Sequence, residues 1–343
     1  MDVARAWLEK QSKLQKTAKD VRGSNLKSQD FLEGDLIRVI NPKGCDCSFC
    51  AIDGGIVCEE FHGLDVAISR SVAACFTYSG SKLTEAKYHP KSRPDFEISA
   101  HSALGQFEKM RFISLTRLKS ELQCAINSLK EFSPDFLLLD GSIAPLMDDK
   151  PPSDSQLASS YDELISIYKS LYSLCAQKNC TLIGITKDSR GRRLVDILAK
   201  ANPQLKEPLS TCHDTVFLDH LLEKNQRTSA FRYSGSPEKN QIFRDLGEYS
   251  SKIMCFYLKP VEYDRPLRVE FLSSSRSFDQ IADTISNLSA LNPNYAYPAV
   301  LIEADLRAAI EPNEIEQTIE SLAVKIGGKR PILKLRRNNR PFR

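Results

Sequence analysis

Apolar positions along this chain change period several times, and each change marks an element. Over residues 1–30 they are sparse among Lys13, Lys16, Lys19, Arg22 and Lys27, and Gly23 with Ser24 breaks the pattern. This predicts a helix and then a linker, an N-terminal arm outside the core. Residues 31–39 fit a short strand or helix ahead of the Asn41-Pro42-Lys43-Gly44 turn. In 49–57 two short apolar runs are split by Asp53-Gly54-Gly55, which predicts a strand that turns sharply into a second one, with Asp53 at the strand end. Small and β-branched residues over 66–78 predict a third strand. Residues 79–99, opening on a Ser-Gly-Ser turn and carrying Pro90 and Pro94, read as an exposed insertion.

The period then becomes helical. Leu118, Leu122, Ala125, Ile126 and Leu129 define an amphipathic helix with Glu121 at the margin of its buried face. Phe136-Leu137-Leu138-Leu139 is a continuous apolar run ending in Asp140-Gly141-Ser142, the pattern of a central strand covered on both faces. A helix over 161–175 and a strand over 181–185 complete a strand–helix–strand unit, whose parallel crossover is expected to be right-handed. Further strands are expected at 253–258 and 267–272. A helix over 278–291 is opened by the Ser277/Gln280 capping box, and a last helix over 315–326 is stopped by Gly327 and Gly328. The whole reads as an antiparallel strand group leading into parallel α/β units.

Composition narrows the class without deciding function. The chain has 343 residues, 41% hydrophobic and 27% charged, which fits one α/β domain with appendages. Its net charge of +3 leaves the partner open, but residues 327–343 form a basic tail without an acidic residue, suited either to phosphates or simply to solvent. No apolar run approaches the ~18 residues that span a bilayer, and the N-terminus has no signal-peptide core, so a cytoplasmic protein with no membrane association is expected. The 10 cysteines are scattered and read as small buried apolar residues rather than a disulfide framework. Cys45, Cys47, Cys50 and Cys58 form a denser group that a zinc or iron–sulfur protein would use, although the spacing fits no paired template.

Candidate chemistry lies in the carboxylates. Asp53 and Asp140 each close an apolar run and are followed by glycine, and Glu121 is a third candidate. Asp-Gly is also ordinary turn chemistry. Where strand tips converge, however, neighbouring carboxylates repel until a cation neutralises them, and two Mg²⁺ or Mn²⁺ ions ~4 Å apart clamp the attacking and leaving oxygens of a phosphodiester. The histidines, His62, His89, His101, His213 and His220, show no ligand spacing. There is neither a phosphate-binding glycine loop nor a nucleophile elbow, so ATP hydrolysis and serine-hydrolase chemistry are not expected.

Five segments resemble, in order, the NurA nuclease family: Ala51-Ile52-Asp53-Gly54-Gly55, the helix bearing Glu121, Leu137-Leu138-Leu139-Asp140-Gly141-Ser142, Ile185-Thr186-Lys187-Asp188-Ser189, and the stretch from Tyr297-Pro298 to Ile310. The resemblance implies an RNase H-like core over 31–326: a mixed sheet flanked by helices that hydrolyses DNA with Mn²⁺ (or Mg²⁺), through two ions. It also implies 5′-to-3′ exonuclease and single-strand endonuclease activity, a homodimer, and a HerA-type hexameric ATPase as partner in DNA end resection. Asp53, Glu121 and Asp140 fall on the family's metal ligands and Tyr297 on its C-terminal tyrosine, while Lys187 and Arg190 are candidate phosphate contacts. Where the family pattern has a histidine, this chain has Asp305, itself a hard-metal ligand but unable to shuttle protons as an imidazole does. A non-catalytic DNA-binding or motor-adaptor subunit is the rival reading, and the histidine replacement is its best support.

Overall fold

The computed structural model describes residues 2–24, 26–44 and 46–325, so Cys45 and the basic tail 327–343 lie outside the described residues. Its helices are α1 (Asp2–Gly23), α2 (Gln106–Phe132), α3 (Ala158–Gln177), α4 (Arg193–Ala201), α5 (Asp214–Leu221), α6 (Gln241–Leu246), α7 (Phe278–Ser289), α8 (Ala299–Ala308) and α9 (Pro312–Lys325). Its strands are β1 (Ile37–Val39), β2 (Cys47–Phe61), β3 (Leu64–Ser79), β4 (Lys82–His89), β5 (Glu97–Ser102), β6 (Phe136–Asp140), β7 (Thr181–Thr186), β8 (Gln226–Thr228), β9 (Phe231–Arg232), β10 (Ile253–Lys259) and β11 (Leu267–Leu272).

All the strands belong to one mixed sheet in the order β1-β8-β10-β11-β7-β6-β2-β3-β4, with β5 on β3 and β9 on β10. Among the described residues, only β2–β6 and β6–β7 pair in parallel. The block β4-β3-β2-β6-β7 is the RNase H-like part, an antiparallel trio continued by two parallel strands. Alternate residues of the central strands enter opposite cores, as a pleated strand covered on both faces requires. Ile52, Leu137 and Leu139 pack with Leu122 and Leu129 of α2 and Leu164 and Leu171 of α3. Ala51, Phe136 and Leu138 pack with Ile281 and Ile285 of α7 and Val300, Leu301 and Ala304 of α8. The Ser277/Gln280 capping box opens α7 as the sequence predicts.

Several expectations need correction. The run through Asp53-Gly54-Gly55 does not turn: β2 is one strand of 15 residues, paired with β3 along its length, and Asp53 lies in its middle. The glycines serve close packing instead. A Cβ at Gly54 would lie 2.8 Å from the Glu121 side chain of α2, and one at Gly55 would lie 2.4 Å from the Ala308 carbonyl oxygen of α8. Residues 79–99, expected as an insertion, are exposed but contain β4 and the start of β5, edge strands whose polar faces meet solvent. The N-terminal arm is part of a core: Leu14, Ala18 and Val21 of α1 are buried with Phe217, Leu218 and Leu221 of α5. Their spacing of four and three marks one helical stripe, which the surrounding lysines mask. Between β7 and β10, where the sequence pattern assigned no element, lie α4 to α6 and two short strands.

Cys50 and Cys75, directly opposite each other on β2 and β3, are disulfide-bonded, where only packed thiols were expected. The proposed cysteine metal group does not form among the described residues: Cys50 is taken by Cys75, and Cys47 and Cys58 sit far apart along β2. Among the described residues, no helix is long and apolar enough to cross a membrane. The burial of α1 gives a test by urea unfolding. Leu14→Ala, at a position 1% exposed, should lower stability by about 2–5 kcal/mol, while Leu8→Ala, at 61% exposure, should change it by less than about 0.5 kcal/mol.

Candidate active site

The parallel register between β2 and β6 builds the site. Ile52 pairs with Leu139, so the next residue on each strand, Asp53 and Asp140, stand side by side. By the alternation of the pleat, both side chains point to the face covered by α7 and α8. There α8 adds Asp305, and one carboxylate oxygen from each of Asp53, Asp140 and Asp305 lies within 4.8 Å of the others. The close approach of α8 to Gly55 allows this convergence. Glu121 comes from α2 on the opposite face, buried against Gly54, and its Oε1 accepts from Arg117 at 3.3 Å. The three aspartates thus meet directly, while Glu121 backs them through the gap left by a missing side chain.

Two groups fix Asp140. The Tyr297 hydroxyl, from the segment ahead of α8, donates to Oδ1 at 2.7 Å, and the Lys187 ammonium, just after β7, donates to Oδ2 at 3.0 Å. The same ammonium stands 4.1 Å from the centre of the Tyr297 ring. Lys187, expected to meet a phosphate, is therefore paired with a carboxylate here, and Tyr297 holds the same carboxylate. Arg190 is exposed and lines a cavity next to Asp140.

Sequence reasoning missed the support of the turn after β6. Gly141 takes a φ of 117°, and Ser142 Oγ donates to Glu270 Oε2 at 2.7 Å. Glu270 is paired at 2.8 Å with Arg268, both on β11 and both buried. The available signal was the alternation in Leu267-Arg268-Val269-Glu270-Phe271, an opposite-charge pair two apart on one face of a buried strand. Arg117 was likewise readable, four residues before Glu121.

Crowding shows in the titration of these groups. Burial, then the charges of Asp140 and Asp305, outweigh a 2.7 Å hydrogen bond from the Gly54 amide and raise the Asp53 pKa to about 7. Burial raises Glu121 to about 8, with Asp53 and Asp140 adding and Arg117 opposing. For Lys187, burial pulls downward, but the hydrogen bond and charge of Asp140 prevail and the pKa rises. Three hard oxygen donors within 4.8 Å of one another, one of them with its pKa raised by burial and by its neighbours, fit a divalent cation such as Mn²⁺ or Mg²⁺.

Comparison with known proteins decides the family. The NurA domain matches residues 47–310, from β2 to just beyond α8. This chain belongs to the NurA family. The NurA fold extends over nearly all of it: the NurA nuclease from Sulfolobus solfataricus superposes with a TM-score of 0.59 at 17% identity, over 95% of this chain and 93% of that one. A NurA bound to dAMP and manganese gives 0.57 at 11% identity, over 86% and 92%. A NurA with manganese gives 0.55 at 11%, over 96% and 98%. No curated protein matches the chain. As a NurA nuclease it is a metal-dependent enzyme.

The raised pKa values give a pH dependence with a definite sign. Between the ordinary carboxylate range and about pH 7 for Asp53 or 8 for Glu121, the folded chain keeps protons that the unfolded chain has lost. Their contribution to stability is therefore full at low pH and is lost as pH rises through that window. In thermal melts with EDTA, Asp53→Asn should gain on the native chain between pH 5 and pH 8 by a few degrees, and Mn²⁺ should raise the native melting temperature more at pH 8 than at pH 5. A difference that does not change with pH would contradict this account.

Proposed function

We propose that this chain hydrolyses DNA phosphodiesters with Mn²⁺ or Mg²⁺, through two ions, as a 5′-to-3′ exonuclease and single-strand endonuclease. The observation that carries the proposal is the meeting of Asp53, Asp140 and Asp305 from three separate elements within 4.8 Å. The manganese and dAMP named for one relative support the choice of metal and of a deoxynucleotide substrate. Asp53, Asp140 and Asp305 would hold the metal, and Glu121, buried beside Gly54, would offer a further carboxylate for a second ion. When bound, such ions lower the pKa of water and neutralise charge on the attacked phosphate and the leaving oxygen.

The chain's own groups then have separate tasks. Tyr297 keeps Asp140 in one orientation, and the supporting Ser142–Glu270 contact holds the turn behind it. Lys187, bonded to Asp140 here, would be free to turn to a phosphate oxygen if Asp140 held a cation. Arg190, exposed beside Asp140, would contact the backbone of the strand, as basic residues along a single-strand groove do. Asp305 would serve as a ligand, and water and the carboxylates would carry the protons that an imidazole would otherwise shuttle.

The proposal extends, on the family resemblance, to a homodimer that works with a HerA-type hexameric ATPase in DNA end resection in the cytoplasm. The Asp305 replacement, which favoured an adaptor subunit on sequence alone, joins the acidic cluster and so favours turnover instead.

Labelled single- and double-stranded DNA incubated with the purified chain and Mn²⁺ should be cut, and EDTA should stop it. Asp53→Asn and Asp140→Asn should each lose about 10³-fold in rate, or ~4 kcal/mol of barrier lowering, while still binding DNA. Tyr297→Phe should lose about 10- to 100-fold, mostly in kcat. DNA binding without any cutting by the native chain would establish the adaptor reading.

A further inference from the structure

Strand register sets Asp53 and Asp140, whereas Asp305 arrives on α8 and depends on what holds the end of that helix. Arg70 of β3 does so. It stands directly opposite Gly55, two residues beyond Asp53, and the pleat puts all three on the face that α8 covers. Its guanidinium is 3% exposed and donates through Nη1 to the Ala309 carbonyl oxygen at 3.1 Å and through Nη2 to Glu314 Oε1 of α9 at 2.8 Å. Ala309 caps α8, and its amide donates to the Asp305 carbonyl oxygen at 3.0 Å, so one helical turn joins the guanidinium's contact to the acidic residue. The Phe96 ring lies with its centre 4.2 Å from the guanidinium carbon and holds its plane. Arg93 pairs with Glu314 Oε2 at 2.9 Å, and the Glu311 amide donates to the same oxygen at 3.1 Å, which ties down the segment between α8 and α9.

We propose that Arg70 is the positioning residue for Asp305: it clamps the C-terminal end of α8 onto β2 and β3 and so keeps the third carboxylate within reach of Asp53 and Asp140. The inference rests on the metal-binding reading above and adds to it what brings the third ligand in. Like charges on the three aspartates push α8 away from the sheet. Val300, Leu301 and Ala304 seat the helix ahead of Asp305, while beyond it the helix offers the small Ala308. The bond from Arg70 to Ala309 supplies the hold at that end, and Gly55 leaves the room for it. A positive charge there also suits the negative end of the helix dipole. A buried ion pair adds little net stability, but two hydrogen bonds from one rigid guanidinium fix the position of both partners.

Calorimetric titration of the full chain with Mn²⁺, together with amide hydrogen exchange in EDTA, tests this. Arg70→Met should bind Mn²⁺ about 10- to 100-fold more weakly, as loss of a ligand's support does. In an Asp305→Ala background the same change should cost less than about twofold, because the residue that Arg70 positions is already gone. Without metal, exchange over residues 305–309 should be about tenfold faster in Arg70→Met than in the native chain, with exchange over 136–140 unchanged. Arg70→Lys keeps the buried charge without the rigid fork, should still lose about fivefold in Mn²⁺ affinity, and takes the place of Arg70→Met in both assays if that variant does not fold. Native Mn²⁺ affinity in the variant, native exchange over 305–309, or a loss undiminished when Asp305 is already replaced overturns the proposal. If the native chain binds no Mn²⁺, the metal-binding reading fails, while the exchange measurement still judges the clamp.

Discussion

Repulsion between carboxylates held side by side is the constraint on which this molecule turns. Asp53, Asp140 and Asp305 bring oxygens within 4.8 Å of one another, with Glu121 buried close behind. In water such groups would separate. Here the strands and helices that carry them are fixed by packing on both faces of the sheet, so the charge must be answered in place. Lys187 and Arg117 answer part of it, and protons on Asp53 and Glu121 answer more near neutral pH. A divalent cation held there would take the place of those protons, so the crowding of the carboxylates would favour metal binding.

The fold creates that arrangement by a few local choices. A parallel register aligns two aspartates on neighbouring strands, and an absent side chain at Gly55 lets α8 deliver a third. The opposite face is used as well, since Gly54 admits Glu121 and the end of β6 borders the cavity lined by Tyr168. The acidic cluster and this cavity both border Asp140, from opposite sides of the sheet.

Much of this was legible in the sequence. The amphipathic α2 and α3, the buried run of β6 and the capped α7 follow from hydrophobic period and capping chemistry, which are local. What was misread depended on partners distant in sequence. Asp53-Gly54-Gly55 has the composition of a turn, and only the helices packed against it reveal that the glycines make space. The lysines of α1 mask a three-residue apolar stripe whose partner, α5, lies two hundred residues away in sequence. Asp53 and Asp140 were expected to converge as two strand tips, and they do stand side by side, although Asp53 is mid-strand. Family likeness, not spacing, singled out Tyr297 and Lys187, whose shared contact with Asp140 no local pattern encodes.

Proton release on metal binding probes the central claim most directly. Calorimetry of Mn²⁺ binding at pH 7 in buffers of different ionisation enthalpy counts the protons displaced. Stoichiometric binding with net proton release, abolished together with affinity when Asp140 is replaced by Asn, is the result the account predicts. Binding without proton release, or undiminished by that replacement, would contradict it.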